Sequence, residues 1–295
     1  MNLKNRVFLL VSLLATVIAC SACNIGPSDS ATYPETRVEN SANAVTEEPS
    51  SAPPEEPGIL NTCIIIISFD DGNDTDYSVA FPLMEARGIR GVSYINPSMI
   101  GEKDKLTWSE IHLLDKAGWD IACHTDTHPR LSELSAKEIR AEMEAVNAAF
   151  KANNLDPPIH HAYPFTDYNA SVIEALSSER LTARRGEHPD LNFSWQEPVW
   201  YELPALRVYI QDQHYFTQVR EQIRLAKEQN RLLFLYTHRV TDNPGPYDTE
   251  TAYFAALLDY IVGEGIKTAT ISEVYELYNR SLPGGEKAET LLTLF

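Results

Sequence analysis

The chain has few basic residues for its length. Its 295 residues include 24 lysines and arginines against 42 aspartates and glutamates, a formal net charge of -18 at pH 7. Proteins that follow a phosphate backbone carry a basic stripe, and this sequence has none. We therefore expect no nucleic acid partner. The acidity itself indicates solubility and says little about activity.

Cysteine is also scarce, with four residues. Cys20 and Cys23 lie near the N-terminus, which leaves Cys63 and Cys123 in separate predicted strands. A disulfide between these two is possible, but nothing in their spacing indicates one. We interpret both as buried small apolar residues.

An apolar run at the N-terminus is too short to span a membrane. Lys4 and Arg6 precede VFLLVSLLATVIAC, whose length suits the core of a signal peptide. The run ends in Val17-Ile18-Ala19-Cys20, which resembles the lipobox of prokaryotic lipoproteins, where the cysteine becomes the lipidated first residue. A short uncleaved anchor, or cleavage elsewhere in ACSAC, are the alternatives.

These features predict the organisation of the chain. We expect a lipoprotein-type signal peptide over 1–19 and a lipid anchor at Cys20, which would hold an exported protein on the outer side of the cytoplasmic membrane or at the cell surface. Residues 20–58 are rich in Ser, Pro and Glu and predict a flexible linker. A single domain over 59–280 and a C-terminal tail over 281–295 complete the prediction.

Strand-like and helix-like runs alternate within the predicted domain. Such alternation indicates an α/β fold with a parallel sheet, either open or closed into a barrel. The predicted strands are 63–69, 91–95, 119–123, 159–163, 181–184, 206–210, 232–237 and 266–271. Two sequences fit the capping box that begins a helix, and further residues fit N-caps or helix-ending glycines. The capping boxes are Thr107 with Glu110 and Ser135 with Glu138. The predicted N-caps are Thr249 and Ser272, and the helix-ending glycines are Gly88 and Gly118.

Acidic and imidazole side chains follow three of these strands. Asp70 and Asp71 come after the first strand, His124 and His128 follow GWDIAC, and His238 ends LLFLYTH. Functional sites of α/β folds gather where the strands end. Two imidazoles and a carboxylate with open positions are typical of a catalytic zinc site, and a second carboxylate could accept a proton from water. Surface turns and solvated loop histidines are the competing interpretation.

The histidine pair in HTDTH does not fit a zincin peptidase. That pattern requires glutamate directly after the first histidine, and Thr125 stands there. Four segments together resemble the NodB-homology polysaccharide deacetylases, carbohydrate esterase family four, in order and rough spacing: SFDDG at 68–72, HTDTH at 124–128, AYPF at 162–165 and LYTH at 235–238. The resemblance covers about residues 60–278 and implies a deformed (β/α) barrel with a single catalytic domain.

The resemblance also implies roles for the strand-end residues. Asp70 would be the catalytic base, and Asp71, His124 and His128 would bind one divalent metal. His238 would be the general acid that protonates the leaving amine. Zinc is the expected metal, although cobalt and nickel also suit these ligands.

Further roles are implied in the last two motifs. The backbone N–H of Phe165, in the motif that also contains Tyr163 and Pro164, would help to hold the oxyanion. Leu235 would line the pocket for the acetyl methyl group.

The chain departs from the family pattern at the residue that orients the base. Ala162 stands where the third motif usually has arginine, Thr166 replaces an expected glycine, and the fourth motif has no clear match. We hypothesise that Arg184 or Arg185, at the end of LTARR, reaches the base from the next strand. The alternative is that both are surface arginines.

The expected function is the hydrolytic removal of N-acetyl groups from a cell-surface or extracellular polysaccharide by a monomeric, metal-dependent enzyme. Two alternatives remain open: hydrolysis of O-acetyl esters or non-sugar amides, and non-catalytic sugar binding with a relic metal site. Trp195, Trp200 and Tyr201 are either packing residues or a surface on which sugars stack.

Overall fold

The computed structural model describes residues 62–186 and 198–281. The predicted signal peptide, Cys20, the linker over 20–58, Trp195 and the tail beyond Ser281 lie outside the described residues, so those predictions stand untested. Among the described residues, no helix has both the length and the apolar character needed to cross a bilayer.

The described residues form ten strands and seven α-helices, which largely alternate. The strands are β1 (Ile64–Asp70), β2 (Val92–Ile95), β3 (Asp120–Cys123), β4 (His160–Ala162), β5 (Thr182–Arg184), β6 (Ala205–Arg207), β7 (Leu232–Thr237), β8 (Val240–Thr241), β9 (Thr249–Glu250) and β10 (Lys267–Thr268). The helices are α1 (Phe81–Glu85), α2 (Trp108–Lys116), α3 (Ala136–Ala152), α4 (Ala170–Leu176), α5 (Gln213–Glu228), α6 (Thr251–Gly263) and α7 (Ile271–Ser281). All eight predicted strands are confirmed; the two-residue strands β8 and β9 were not predicted.

The main sheet is parallel and runs in the order β5-β4-β3-β2-β1-β7-β6. β1 pairs with β7 along its length, while its other side is shared between β10 at its start and β2 at its end. The two edges of the sheet meet because Leu203, just before β6, bridges to Arg184 and accepts a hydrogen bond from the N–H of Arg185. The sheet therefore forms a nearly closed, deformed (β/α) barrel, as predicted.

Two apolar layers enclose the sheet because successive side chains of a strand point to opposite faces. In β1, Ile65, Ile67 and Phe69 pack toward the helices, whereas Ile64 and Ile66 face the barrel interior. Burial on both faces is why this strand is almost continuously apolar. Polar side chains that follow such strands are thus delivered to one end of the barrel.

Several local predictions can be compared with the structure. The capping boxes at Thr107 and Ser135 are confirmed, and so are the glycines after α1 and α2, both with positive φ. Thr249 is not an N-cap: it lies in β9, and its hydroxyl bonds to that of Thr237. Ser272 lies inside α7, and Thr270 precedes that helix. Cys63 and Cys123 are free and buried, as predicted.

Candidate metal centre and active site

The turn after β1 contains two adjacent carboxylates, those of Asp70 and Asp71, which point in different directions. Asp70 is the last residue of β1, and Asp71 and Gly72 follow with φ of 76° and 58°. The Asn73 side chain donates to the carbonyl of Asp70, and Lys105 Nζ donates to the carbonyl of Asp71. A side chain at Gly72 would press against Ile95 at 3.0 Å, so the turn has room for little but glycine there.

Asp71 faces two imidazoles. Its Oδ1 lies 3.5 Å from Nε2 of His124 and 3.4 Å from Nε2 of His128. One ligand atom from each residue falls within 4.8 Å of the others, which makes this a candidate metal site. Asp71 Oδ1 is buried and has no hydrogen-bond partner. Burial of a carboxylate oxygen without a partner is costly, and a cation between these atoms would remove that cost.

The two imidazoles are in the form that binds metals. Nδ1 of His124 is 2.7 Å from the carbonyl oxygen of Ala162, so Nδ1 carries the proton and the lone pair of Nε2 points toward Asp71. Burial lowers the pKa of His124, and burial together with the neighbouring His124 lowers the pKa of His128 to about 4. Both rings are therefore neutral at pH 7.

The loop that supplies these histidines is shaped by contacts outside the ligand set. Thr125 and His128 have φ of 67° and 60°, and the N–H of His128 donates to Oγ1 of Thr125. Glu142, on α3, accepts hydrogen bonds from the N–H groups of Asp126 and Thr127, each at 2.9 Å. The pair thus lies in a tethered loop, and no helix holds it.

Asp70 is paired with an arginine from another strand. Arg184 Nη2 donates to Asp70 Oδ1, and the two residues are 2% and 5% exposed. The guanidinium lies between the rings of Tyr94 and Tyr236, at 5.1 and 4.6 Å from their centroids. Burial would raise the pKa of Asp70, but Arg184, together with His124, more than offsets this and holds that pKa below its usual range. Asp70 is therefore ionised at neutral pH.

Arg184 supplies to Asp70 the positive charge that position 162, an alanine, does not provide. In the β4–β5 ladder, Ala162 and Arg184 are register partners, so the arginine enters the barrel one strand away from the position where the motif resemblance implied it. Arg185 does not reach Asp70; its side chain lies at the hydroxyl of Tyr168. Of the two arginines in the hypothesis, the structure thus brings Arg184 to the base.

His238 lies on the other side of the acidic pair. Its Nε2 is 3.8 Å from Asp71 Oδ2, and its ring is partly exposed. Nδ1 is buried and has no hydrogen-bond partner. The ring packs against Tyr209 and Tyr247, with centroid distances of 5.5 and 5.8 Å. His238 is therefore open to a substrate bound over Asp71.

The third motif forms a strained turn beside the metal site. Phe165 has φ 55° and ψ 14°, a conformation that bulky residues rarely adopt. Its ring lies 4.5 Å from that of His128. Tyr163 is buried, and its hydroxyl donates to the carbonyl of Tyr201, while Pro164 is buried in the same turn. These two residues shape the turn, and Phe165 faces the site.

Leu235 does not join the site. Strand alternation places it in the helix-facing core with Leu233, whereas Tyr236 faces the barrel interior, beside Arg184. The expectation for Leu235 is therefore wrong by one residue. Counting back two residues from His238 on the same strand face would have indicated Tyr236.

Glu142 and Tyr94 carry no local signal in the sequence, because their contacts depend on packing between distant segments. Of the three aromatic residues that were assigned either to packing or to sugar stacking, Trp195 lies outside the described residues, and the contacts of Trp200 and Tyr201 fit packing. Trp200 packs against Tyr275 and Tyr278, and the Tyr201 hydroxyl donates to the carbonyl of Arg180.

Comparisons with known proteins agree with this architecture. The chain resembles the Xyl-CE4 domain of a multidomain xylanase from the hindgut metagenome of Trinervitermes trinervoides, with a TM-score of 0.51, 18% identity, and coverage of 73% of this chain and 90% of that one. It also resembles the structure described as T48 deacetylase with substrate, with a TM-score of 0.51, 14% identity, and coverage of 74% and 92%. At these identities the likeness concerns the fold alone.

Sequence comparison finds a resemblance over part of the chain. A stretch of 144 residues is 24% identical to "Putative polysaccharide deacetylase YxkH" of Bacillus subtilis (strain 168) and covers 49% of this chain. The match spans about half of that relative, 51% of its length. Residues 60–183 match the family model described as polysaccharide deacetylase. With its strand-end residues assembled at one end of a deformed barrel, this chain is similar to the polysaccharide deacetylase family over residues 60–183.

Proposed function

We propose that this protein is a metal-dependent hydrolase that removes N-acetyl groups from an acetylated polysaccharide. One observation carries the proposal. The ligand atoms of Asp71, His124 and His128 converge directly beside Asp70, a carboxylate that Arg184 keeps ionised. A cation site next to a fixed proton acceptor is the arrangement that hydrolysis by water requires.

The three residues fit a divalent cation. They offer one unpartnered, buried carboxylate oxygen and two neutral imidazoles whose Nε2 atoms face it. When bound there, a divalent cation would supply Lewis-acid chemistry, which lowers the pKa of water from 15.7 to about 7 and would polarise the substrate carbonyl. Two imidazoles and one carboxylate favour zinc, and cobalt or nickel would also be accepted.

The chain's own residues carry the proton transfers. Asp70 accepts a proton from the water whose oxygen adds to the acetamide carbon, and Arg184 keeps its carboxylate in place. The N–H of Phe165 donates to the oxyanion. His238 gives a proton to the nitrogen as the carbon–nitrogen bond breaks, which leaves acetate and a free amine. A general base contributes typically about 10²–10⁴-fold in rate.

Substrate and location are parts of the same proposal. The family match supports an acetylated polysaccharide as the substrate class. The signal peptide and the lipidated Cys20 predicted from the sequence would place a monomeric enzyme outside the cytoplasmic membrane, where such polymers occur.

The test combines metal analysis with acetate release by the full-length protein. Acetylated chito-oligosaccharides are compared with an O-acetylated xylan and a non-sugar acetamide, so that a preference for esters or for simple amides would be visible. Asp70→Asn should abolish acetate release and retain the metal, whereas Asp71→Ala should lose both. Normal turnover by Asp70→Asn would overturn the assignment of the base. Metal binding with no release from any substrate would indicate a relic site.

A further inference from the structure

A cleft of about 740 Å³ lies at the amino end of the barrel strands. Its lining includes the first residues of β3 and β4, Asp120 and His160, and Leu181 just before β5. These strands are parallel, and the candidate metal ligands lie at the opposite, carboxyl end of the sheet. The volume is within the range of about 300–1,000 Å³ that small-molecule sites occupy. The cleft is thus separate from the candidate active site and large enough for a ligand of its own.

Much of the lining is apolar. Phe150, Leu155, Pro157 and Ile159 come from the end of α3 and the loop before β4, and Leu181 comes from the strand side. Proline in this loop fixes φ and so restricts the backbone that carries these side chains. An apolar lining favours a ligand with a hydrocarbon portion, because contact removes apolar surface of both from water.

The buried polar residues of the lining form its floor and are fixed by hydrogen bonds. Nδ1 of His160 lies 2.9 Å from Oγ1 of Thr182, and Nε2 lies 3.0 Å from Oγ of Ser272. Oδ2 of Asp120 accepts from the N–H of Ser272 at 2.8 Å. Burial lowers the pKa of His160 to about 3, so this ring is neutral at pH 7. Of the described residues at the floor, Asp120 therefore supplies a carboxyl group and none supplies a positive charge.

Two further carboxylates are exposed at the mouth of the cleft. They belong to Asp115 near the end of α2 and to Asp156 in the loop before β4. Burial raises the pKa of Asp115, the negative charges of Asp156 and Asp120 raise it further, and His112 opposes them. The three carboxyl groups therefore lie close enough to repel one another. Lys151, the one lysine or arginine among the described lining residues, is exposed, and a cation that enters the cleft relieves the repulsion.

Charge and shape together define the ligand. Carboxyl groups at the mouth and at the floor, with apolar walls between them, are complementary to ammonium groups at the two ends of a hydrocarbon chain. A divalent metal ion would match the charge but would leave the apolar walls uncovered. We infer that this cleft binds a linear aliphatic diamine or polyamine. The inference is independent of the proposed hydrolytic function, because the two sites share no residue.

Titration calorimetry of the full-length protein with putrescine, a four-carbon diamine, tests the inference. At physiological ionic strength we expect one putrescine bound per chain and no binding of the uncharged diol of equal length. Asp156→Asn and Asp115→Asn keep the side-chain shape and should each weaken putrescine binding about 2- to 5-fold, as expected for loss of an exposed ion pair. Both positions are exposed, so these changes leave the fold intact.

The matched control is Glu144→Gln, which removes one negative charge from an exposed position of α3 outside the lining. This control is needed because a chain with a net charge of -18 attracts polycations in general. Its affinity for putrescine should equal that of the wild type. The affinity of His128→Ala should also be unchanged, since that variant alters the opposite end of the barrel.

Equal weakening in Asp156→Asn and Glu144→Gln would overturn the inference, because it would reduce the binding to general attraction. Binding of the diol as tight as that of putrescine would show that the carboxylates do not select the ligand. Loss of binding in His128→Ala would assign the amine to the metal end of the barrel, and displacement of putrescine by calcium would indicate a metal-ion site.

Discussion

Arg184 and Asp70 form a buried ion pair in which the arginine stands on β5 and the aspartate ends β1. The register partner of Arg184 on β4 is Ala162, the position where the motif resemblance implied an arginine. The same charge thus reaches the same carboxylate from the neighbouring strand. Side chains of register partners point to the same face of a sheet, so this exchange needs no change in the barrel.

Replacement of Arg184 by Met should change the pH dependence of activity. Arg184 opposes the effect of burial on Asp70, so without it the pKa of Asp70 rises and the acid limb of kcat/KM moves to higher pH. We expect a loss of about 10²–10⁴-fold at neutral pH, the usual contribution of a general base. Arg184→Lys, which keeps the charge but not the planar fork, should give an intermediate profile.

Arg185→Met is the matched control for that experiment. It removes the adjacent arginine, whose side chain lies at Tyr168, and should leave the acid limb in place. Circular dichroism checks folding, because removal of one partner of a buried pair costs about 3–5 kcal/mol. Superimposable pH profiles for wild type and Arg184→Met would contradict the positioning role.

Metal binding should stabilise the folded protein. A ligand at 100 times its Kd adds about 2.7 kcal/mol to the free energy of unfolding, which for a domain of this size raises Tm by about 5–11 °C. Thermal melts with zinc and with a chelator measure the difference. His128→Ala removes one of the converging ligand atoms and should abolish the shift. An equal shift in that variant would show that zinc binds elsewhere.

Glu142 should affect metal affinity without touching the metal. Its carboxylate accepts from the N–H groups of Asp126 and Thr127 and from the Thr127 hydroxyl, and so fixes the loop between the two ligand histidines. Loss of such outer contacts typically reduces metal affinity about 10–100-fold, which we expect for Glu142→Ala in a competition titration with a zinc indicator. Glu144→Ala, at an exposed position of α3, is the control. If Glu142→Ala and Glu144→Ala bind zinc with equal affinity, the hydrogen bonds of Glu142 do not fix the metal-binding loop.

The buried carboxyl group of Asp76 should make the free energy of unfolding fall as pH rises. The carboxyl is fully buried and accepts from the Ser93 hydroxyl at 2.7 Å, and burial raises its pKa well above the usual value. The folded state therefore holds a proton that the unfolded state releases above about pH 4. Between the two pKa values, this group removes at most about 1.4 kcal/mol of stability for each pH unit.

Asp76→Asn should remove that dependence. Relative to wild type, the variant should gain Tm progressively between pH 4 and pH 7, as measured by melts at constant ionic strength. Asp156→Asn, at an exposed aspartate, should show no such trend. A difference between Asp76→Asn and wild type that stays constant with pH would mean that the Asp76 pKa is similar in both states.

The sequence by itself determined a parallel α/β sheet and the residues at its strand ends, whereas closure into a barrel was implied only by the family resemblance. Buried strands, helix caps and the polar residues that interrupt an apolar run are local patterns, so Asp70, Asp71, His124, His128 and His238 could be singled out together. Their convergence follows from the parallel sheet, because the carboxyl ends of all its strands meet at one end of the barrel.

Tertiary structure alone decided which further residues complete the site. Whether Arg184 or Arg185 reaches Asp70 depends on ladder register, and a one-residue offset moves a side chain to the other face, as it did for Leu235 and Tyr236. The contacts of Glu142 and Tyr247 arise where a helix and a loop pack against segments far away in the chain. Such tertiary contacts leave no periodic pattern in the sequence, because they depend on how secondary-structure elements pack against one another.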